Sequence, residues 1–340
     1  MHYFVTGHTG FKGSWLIALL KSKGHEVSGY SLEAVEGGLF DLAKLDQDLK
    51  HHTIADIRNL ESLQGALEEA KPDVVVHLAA QPLVLRSYED PVETYTTNVN
   101  GTLNLLQAVT ELSSAPVTLV ITTDKVYRDS GKGSYSETDA LGGYDPYSTS
   151  KAMADILTQS WAETHPSLPL HIARAGNVIG AFDVSLDRLL PDVMRSLAQK
   201  MPLMVRHPEA VRPWQHVLDC LNGYLMFIDA INQGKDPPVA LNFGPDPDGM
   251  KSVRDVLRVA SRVFPDLQFE AIDTPQPRET SLLTLNSKLA HQKLGWENQL
   301  GFEDAVALSL DTTIEKPRES IDRTISVFWK SKRSAGLNYE

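Results

Sequence analysis

Cysteine and long apolar runs are both scarce in this 340-residue sequence, and each scarcity excludes a class of protein. The single cysteine, Cys220, cannot form an internal disulfide, which suits a reducing compartment and predicts a buried structural thiol. No apolar run reaches the ~18 residues of a membrane span, and a strand-like run starts at the first residues without a signal-like segment. We therefore expect a cytoplasmic protein with no membrane partner.

Positive charge is also in deficit, because 32 lysines and arginines face 44 acidic residues, for a net charge of -12. This balance argues against nucleic acid as a partner. It also means that an anionic substrate has to be held by a local cluster of cations. His51 and His52 stand in a polar, loop-like setting without ligand spacing, so we expect no metal site.

Apolar strand-like runs alternate with helical runs through the first half of the chain. Beyond the N-terminal strand, the pattern predicts strands at 25–30, 74–78, 117–122 and 170–175 and helices at 60–69, 92–112 and 147–163. Strands this rich in Val, Ile and Leu suit a parallel sheet that is buried on both faces. The predicted fold class is therefore α/β, a Rossmann-type doubly wound parallel sheet.

The alternation lapses at about residue 181, where prolines punctuate shorter segments. We expect a Rossmann domain at 1–180 and a smaller C-terminal α/β domain for the substrate at 181–340. The apolar run 239–244 is expected to return to the first domain's sheet.

Three glycines at a spacing of three follow the first strand and precede a helical run. Gly7 allows a tight turn, Gly10 lets backbone N–H groups approach a phosphate, and Gly13 allows close packing of helix on strand. The helix N-terminus supplies the positive end that an anion needs, so this loop predicts a site for a dinucleotide pyrophosphate. His8, inside the loop, either contacts the pyrophosphate or nicotinamide side or only caps the turn.

Tyr147 and Lys151 lie four residues apart at the start of a predicted helix, and therefore share a face. An adjacent ammonium favours the phenolate, so we expect Lys151 to lower the pKa of Tyr147 toward a value useful for a general base. Thr123, Asp124 and Lys125 follow the fourth predicted strand, at the sheet edge where such folds bind ligands.

Four motifs together resemble the extended short-chain dehydrogenases/reductases that act on nucleotide sugars: Thr-Gly-x-x-Gly-x-x-Gly at 6–13, His77-Leu78-Ala79-Ala80, Asn98-Val99-x-Gly101-Thr102, and Tyr147-x-x-x-Lys151. Within that superfamily, further stretches are similar to the CDP-glucose 4,6-dehydratases, at 7–15, 80–83, 123–125, 142–148, 174–180, 187–188 and 212–216. The likeness covers most of the chain. It implies a NAD-dependent lyase that acts on a nucleotide sugar such as CDP-glucose.

The resemblance also implies a reaction course. Tyr147 would take the proton of the sugar 4-hydroxyl as hydride leaves C4 for NAD, while Thr123 bonds the same oxygen. After loss of the C5 proton, Asp124 would protonate the departing 6-hydroxyl, and hydride would return to C6. Lys125 stands where most sugar-nucleotide 4,6-dehydratases have a glutamate, and either takes the C5 proton as a neutral amine or stabilises the enolate as an ammonium.

The resemblance assigns binding residues as well. The implied cofactor residues are Gly7, His8, Gly10, Phe11, Lys12, Gly13, Ser31, Asp56, Ile57, Leu78, Ala79, Ala80, Gln81, Asn98, Tyr147 and Lys151, and the implied substrate residues are Asn177, Arg188, Arg212 and Asn242. Because 29–33 carry no Arg or Lys to hold a 2′-phosphate, NAD is favoured over NADP.

Two readings stay open. The loop at 180–184 departs from the pattern of the CDP-glucose enzymes, so a nucleotide-sugar epimerase or reductase on the same scaffold is the alternative. A nonenzymatic cofactor sensor is disfavoured because Tyr147 and Lys151 are both present. The family likeness further implies a homodimer that pairs helices 92–112 and 147–163.

Overall fold

A seven-stranded parallel sheet forms the centre of the computed structural model, which describes residues 1–272, 284–312 and 315–335. The strands are β1 His2–Thr6, β2 Glu26–Ser31, β3 His51–Ile54, β4 Val74–His77, β5 Val117–Thr123, β6 Ser134–Tyr135, β7 Leu170–Ala175, β8 Val178–Ile179, β9 Leu203–Val205, β10 Val211–Pro213, β11 Gln215–His216, β12 Ala240–Phe243, β13 Met250–Ser252, β14 Phe269–Ala271 and β15 Thr284–Leu285. The central sheet has the order β12-β7-β5-β4-β1-β2-β3. The Rossmann-type fold predicted from the sequence is confirmed.

Helices cover the sheet. They are α1 Phe11–Ser22, α2 Leu39–Leu42, α3 Leu60–Ala70, α4 Val84–Glu89, α5 Pro91–Tyr95, α6 Gly101–Glu111, α7 Pro146–Thr164, α8 Leu189–Gln199, α9 Val217–Asn232, α10 Val253–Val263, α11 Lys288–Leu294, α12 Phe302–Ser309 and α13 Pro317–Ala335. Among the described helices, none is both long enough and apolar enough to cross a bilayer.

The strand order reverses between β1 and β4, which lie side by side in the sheet and continue into different crossovers. Val5 of β1 pairs with Gly29 on one side and with Val76 on the other. Such a switch point opens a crevice at the carboxyl ends of the strands. The glycine loop after β1 and the segment after β4 therefore face the same crevice.

Two local predictions differ from the structure. His51 and His52 do not lie in a loop but in β3, an edge strand whose residues alternate between exposed and half-buried, so the polar run carried no strand signal. The helix predicted at 92–112 is interrupted by a π-helical turn at Thr96–Asn100 between α5 and α6.

The second half of the chain contributes both to the central sheet and to the helices that cover it. The run predicted at 239–244 joins the central sheet as the edge strand β12, next to β7, and α9 packs against α1. The remaining short strands form the pairs β10–β13, β9–β14, β8–β11 and β6–β15. Cys220 is buried in α9, and burial raises the pKa of its thiol.

Candidate active site

The glycine loop has the form that a bound pyrophosphate requires. Gly7 adopts a positive φ of 72°, and a Cβ on Gly13 would lie only 2.3 Å from the Gly7 carbonyl oxygen, so packing within the protein demands both glycines. Gly10 differs, because a Cβ there would meet one described protein atom, Gly7 O at 3.4 Å. Gly10 is also the N-cap of α1 without a side-chain cap, so the first N–H groups of this 12-residue helix stay available to an anion.

His8 belongs to this loop through its backbone alone. Its ring is fully buried, edge-on to Phe40 and His52, and a Cβ on Gly29 would overlap it. Burial, reinforced by His52, lowers the pKa of His8 to about 3, so the ring stays neutral. A side-chain contact from His8 to a cofactor does not fit this position.

The far end of the crevice, at the ends of β2 and β3, carries polar groups that are already engaged. The hydroxyls of Thr9 and Ser31 lie 2.8 Å apart and tie the glycine loop to β2. The carboxylate of Asp56 accepts two hydrogen bonds from Arg58 Nε at 3.0 Å, which holds the pKa of Asp56 below its ordinary value. Ile57 is buried against Gly101.

The segment after β4, residues 78–81, lines the same crevice, and two predicted cofactor residues act there as supports. The Asn98 carboxamide accepts from Gln81 N at 2.8 Å and donates to Ser150 Oγ at 2.9 Å. The Gln81 side chain donates to Thr94 and accepts from Leu83 N. Both side chains are thus bonded within the protein, and they shape the segment after β4 rather than offering free groups to a ligand.

A cavity of about 490 Å³ opens beside this crevice, within the size range of small-molecule sites. Six predicted site residues line it: Asp124, Lys125, Tyr147, Asn177, Arg188 and Arg212. The structure therefore brings the phenol of α7, the ion pair after β5 and the two arginines of the second half of the chain to one space.

Tyr147 is almost completely buried at the start of α7, where a capping box formed by Asp145 and Ser148 sets the helix entry. Burial raises the pKa of the phenol above its ordinary value, and the Lys125 ammonium and the Thr123 hydroxyl oppose that rise. The predicted lowering of the Tyr147 pKa is therefore wrong: the pKa lies above its ordinary value, and the lysine that opposes this rise is Lys125, not Lys151.

Lys151 is held differently from the prediction. Its Nζ donates to the backbone carbonyl of Ile121 at 3.0 Å, which anchors α7 to β5. Burial lowers the pKa of Lys151 to about 8; the Lys12 ammonium adds to this effect and Asp155 opposes it. Of the two lysines in this site whose pKa is shifted, Lys151 therefore loses its proton more readily than Lys125.

Asp124 and Lys125 form an ion pair in the cavity wall, with Lys125 Nζ 3.3 Å from Asp124 Oδ1. The same oxygen accepts from Thr123 Oγ1 at 2.8 Å. Burial lowers the pKa of Lys125, but Asp124 and Tyr147 more than offset this effect, so the pKa ends above its ordinary value. Lys125 is therefore an ammonium in the resting site.

Of the four predicted substrate residues, three line the cavity and one does not. Arg188 is the N-cap of α8, with its guanidinium 3.9 Å from Asp183, and Arg212 comes from β10. Asn242 is fully buried in β12, where its carboxamide accepts from Tyr127 OH at 2.7 Å and donates to Tyr135 O at 3.0 Å. Its predicted contact with substrate is therefore wrong.

Sequence reasoning missed much of the cavity wall. Apolar side chains come from α4, α8 and β9, and the missed residues include Val84, Leu85, Tyr88, Leu189, Leu190, Leu203, Met204 and Val205. These are ordinary apolar residues in separate elements, so the linear pattern carries no signal that they meet. The loop at 180–184 does border the cavity through Gly180 and Asp183, and the buried Phe182 holds a positive φ of 63° there.

The fold and this site define a class. Over residues 3–244 the chain matches the model of the NAD dependent epimerase/dehydratase family, and it belongs to that family. Among its relatives, the chain is 38% identical over 315 residues to the CDP-glucose 4,6-dehydratase of Salmonella typhimurium, a match that covers 89% of this chain and 88% of that one. The dTDP-glucose 4,6-dehydratase of Xanthomonas campestris is 29% identical over 333 residues, covering 91% of this chain and 92% of that one. The predicted membership is confirmed.

Solved structures show the same fold. The UDP-glucose 4-epimerase from Bifidobacterium longum in complex with NAD+ and UDP superposes with a TM-score of 0.79 at 21% identity, covering 94% of this chain and 99% of that one. The dTDP-glucose 4,6-dehydratase from Bacillus anthracis in complex with NAD gives 0.77 at 23% identity, covering 95% and 99%.

Proposed function

We propose that this protein is a NAD-dependent lyase that converts CDP-glucose to CDP-4-keto-6-deoxyglucose. The observation that carries the proposal is the meeting of Tyr147 and the Asp124–Lys125 ion pair in one cavity with Arg188 and Arg212. The 38% identity to a CDP-glucose 4,6-dehydratase supports the choice of nucleotide and sugar. The free, buried thiol of Cys220 suits a reducing compartment and supports a cytoplasmic location.

NAD fits the crevice because Gly10 leaves room for a phosphate above the N-terminus of α1. When bound, the cofactor supplies the oxidation at C4 and the reduction at C6. Gly7, Gly10 and Gly13 shape the loop that holds its pyrophosphate, and the segment at 78–81 forms the other wall. Lys12, whose Nζ donates to Tyr224 OH at 3.2 Å, keeps a positive charge beside this loop.

Tyr147 and Thr123 act on the sugar 4-hydroxyl. The phenol removes its proton, and the Thr123 hydroxyl orients the oxygen. Lys125 contributes to this step as well, because its ammonium stabilises the phenolate that burial disfavours.

The Asp124–Lys125 pair serves the loss of water without a net change of protons. Lys125 stays an ammonium, in line with its raised pKa, and stabilises the enolate that forms as the C5 proton leaves. The Asp124 carboxylate takes that proton and gives it to the departing C6 oxygen, which leaves as water while the C5–C6 double bond forms. The ion pair, with 3.3 Å between Lys125 Nζ and Asp124 Oδ1, is thereby restored.

Arg188 and Arg212 hold the substrate pyrophosphate against the overall negative charge of the protein. Arg188 does so at the N-terminus of α8, where the helix dipole adds to its charge. Asn177 is exposed in the cavity wall and supplies a neutral donor.

The alternative is an epimerase or reductase on the same scaffold. Such an enzyme needs no acid for a departing 6-hydroxyl, whereas here a buried carboxylate and an ammonium face the cavity together. That pairing favours the dehydratase.

The direct test is incubation of the purified protein with NAD and CDP-glucose, followed by mass spectrometry. The wild-type protein is expected to yield a product that is lighter by one water, and Tyr147→Phe is expected to yield less by about 10²–10⁴-fold. A product of unchanged mass, or undiminished turnover in the Tyr147 variant, would refute the proposal.

A further inference from the structure

A buried ion pair lies behind the cavity, between α7 and β7, and carries no assigned role. Arg174 donates from Nε to Asp155 Oδ2 at 2.9 Å and from Nη2 to Oδ1 at 2.7 Å. Both side chains have almost no solvent exposure, at 1% and 0%. Thr122 Oγ1 and Gln159 Nε2 complete the shell of the carboxylate at 2.9 and 2.7 Å. We call these four residues, with Tyr127, the Asp155 network.

The network continues from Arg174 to the segment after β5. Arg174 Nη1 donates to Tyr127 OH at 2.9 Å, and Tyr127 OH donates in turn to Asn242 Oδ1 at 2.7 Å. The guanidinium also lies 5.2 Å from the centre of the Tyr127 ring. Asn242 thus completes the hydrogen bonding of Tyr127 instead of contacting substrate.

The Asp155 network is hydrogen-bonded to both ends of the segment 122–127, which contains the proposed catalytic residues after β5. Thr122 directly precedes Thr123, and Tyr127 follows Lys125 by two residues, while Asp155 lies two helical turns beyond Tyr147 on the same face of α7. Thr123, Asp124 and Lys125 therefore lie between two residues of the Asp155 network. Tyr147 and Lys151 lie on α7 within two helical turns of Asp155.

Stability alone does not explain such a pair. Burying two charges costs several kcal/mol, and replacing a buried pair by apolar residues of similar volume is often neutral or stabilising. A bidentate ion pair has a fixed geometry, so it aligns the groups around it better than apolar packing does.

We propose that the Asp155–Arg174 pair is a positioning device that sets Thr123, Asp124 and Lys125 against Tyr147 and Lys151. This role rests on the proposed dehydration, since it concerns the geometry of that reaction. Asp155 also acts on Lys151 through charge, because it raises the pKa that burial lowers.

A matched pair of threonine variants tests the proposal with little risk to folding. Thr122→Val removes one bond to Asp155, and Thr118→Val, in the same buried strand, removes a bond to Pro116 O. We expect similar losses of stability, but a fall in kcat of about tenfold in Thr122→Val alone, with KM unchanged because Arg188 and Arg212 are untouched. Equal kcat values in the two variants would overturn the proposal.

The double variant Asp155→Leu/Arg174→Met removes the pair itself. We expect a folded protein whose kcat is about 100-fold lower at unchanged NAD affinity, and a Lys151 pKa below that of wild type by lysine side-chain NMR. Wild-type kcat together with an unshifted Lys151 would contradict the proposal. The NMR reading needs no turnover, so it stands even where the wild-type protein fails to dehydrate CDP-glucose, a result that would count against the proposed function instead.

Discussion

At the scale of single residues, Lys125 joins two steps of the proposed reaction. It is bonded to Asp124, and its charge lowers the pKa of Tyr147 against the effect of burial. One lysine thus supports both the oxidation at C4 and the loss of water, which explains why the group next to Asp124 is a cation rather than a second carboxylate.

Lys125→Met is expected to separate the two steps. Tyr147 and Thr123 remain, so C4 oxidation continues at a reduced rate, whereas the enolate loses its stabilising ammonium and product formation falls by about 10²-fold or more. The reduced cofactor should therefore accumulate, as followed by its absorbance. Lys132→Met, which removes an exposed lysine paired with Asp139, is the control. Unimpaired product formation in Lys125→Met would remove this lysine from the mechanism.

Lys151 carries a cost for stability that depends on pH. Because burial lowers its pKa to about 8 from 10.5, the folded state binds this proton more weakly than the unfolded state does. The cost, up to about 3 kcal/mol, is fully present below pH 8 and disappears as the pH rises toward 10.5.

Lys151→Met is therefore expected to be more stable than wild type at pH 7, by about 1–2 kcal/mol after loss of the bond to Ile121 O. Urea unfolding at pH 7 and at pH 10 measures the difference, which should shrink at the higher pH. A difference of the same size at both values would contradict the assigned pKa.

At the scale of elements, the loop between β1 and α1 contains two kinds of glycine: one is required by packing within the protein, and the other makes room for a ligand. Gly13 is required by the backbone of the loop itself, since a Cβ would lie 2.3 Å from Gly7 O. At position 10 the protein itself would tolerate a Cβ, so Gly10 leaves space for a ligand at the helix N-terminus.

Gly13→Ala and Gly10→Ala should therefore fail in different ways. Gly13→Ala is expected to lose about 2–3 kcal/mol of stability by overpacking. Gly10→Ala is expected to lose less than about 1 kcal/mol of stability. Its NAD binding should weaken about tenfold or more, which corresponds to about 1.4 kcal/mol. Urea unfolding and calorimetric titration with NAD distinguish the two. Undiminished NAD affinity in Gly10→Ala would place the phosphate elsewhere.

The same scale shows what the sequence can predict. Long apolar strands such as β5 and the periodic helix α7 were predictable because burial on both faces or on one stripe leaves a regular pattern. The polar edge strand β3 left none. In the site, the spacing of Tyr147 and Lys151 predicted the phenol and the family resemblance implied the two arginines, but neither gave the direction of a side chain. Asn242, Gln81 and Lys151 all turn to partners inside the protein.

At the scale of the whole molecule, apolar side chains remain exposed on neighbouring helices. Leu103 of α6 and Met153 and Ile156 of α7 are 40%, 45% and 52% exposed. These side chains lie on the two helices that the family likeness pairs across a homodimer, and their exposure supports the homodimer that we propose from that likeness.

Sedimentation is expected to give a dimer of the 37.5 kDa chain at micromolar concentration. Ile156→Glu should give a monomer, because each copy would bring a carboxylate into an apolar interface, where its burial is costly. Val263→Glu, at a similarly exposed apolar position on α10, should leave the dimer intact. A wild-type monomer would contradict this assignment.

In the proposed reaction, one cavity serves the oxidation at C4, the loss of water and the reduction at C6 of the same sugar. The most direct measurement uses CDP-glucose that carries deuterium at C4, with the label located in the product by NMR. We expect a 4-keto-6-deoxy product with the deuterium at C6. Deuterium that stays at C4, or is lost without water being released, would contradict the proposed reaction.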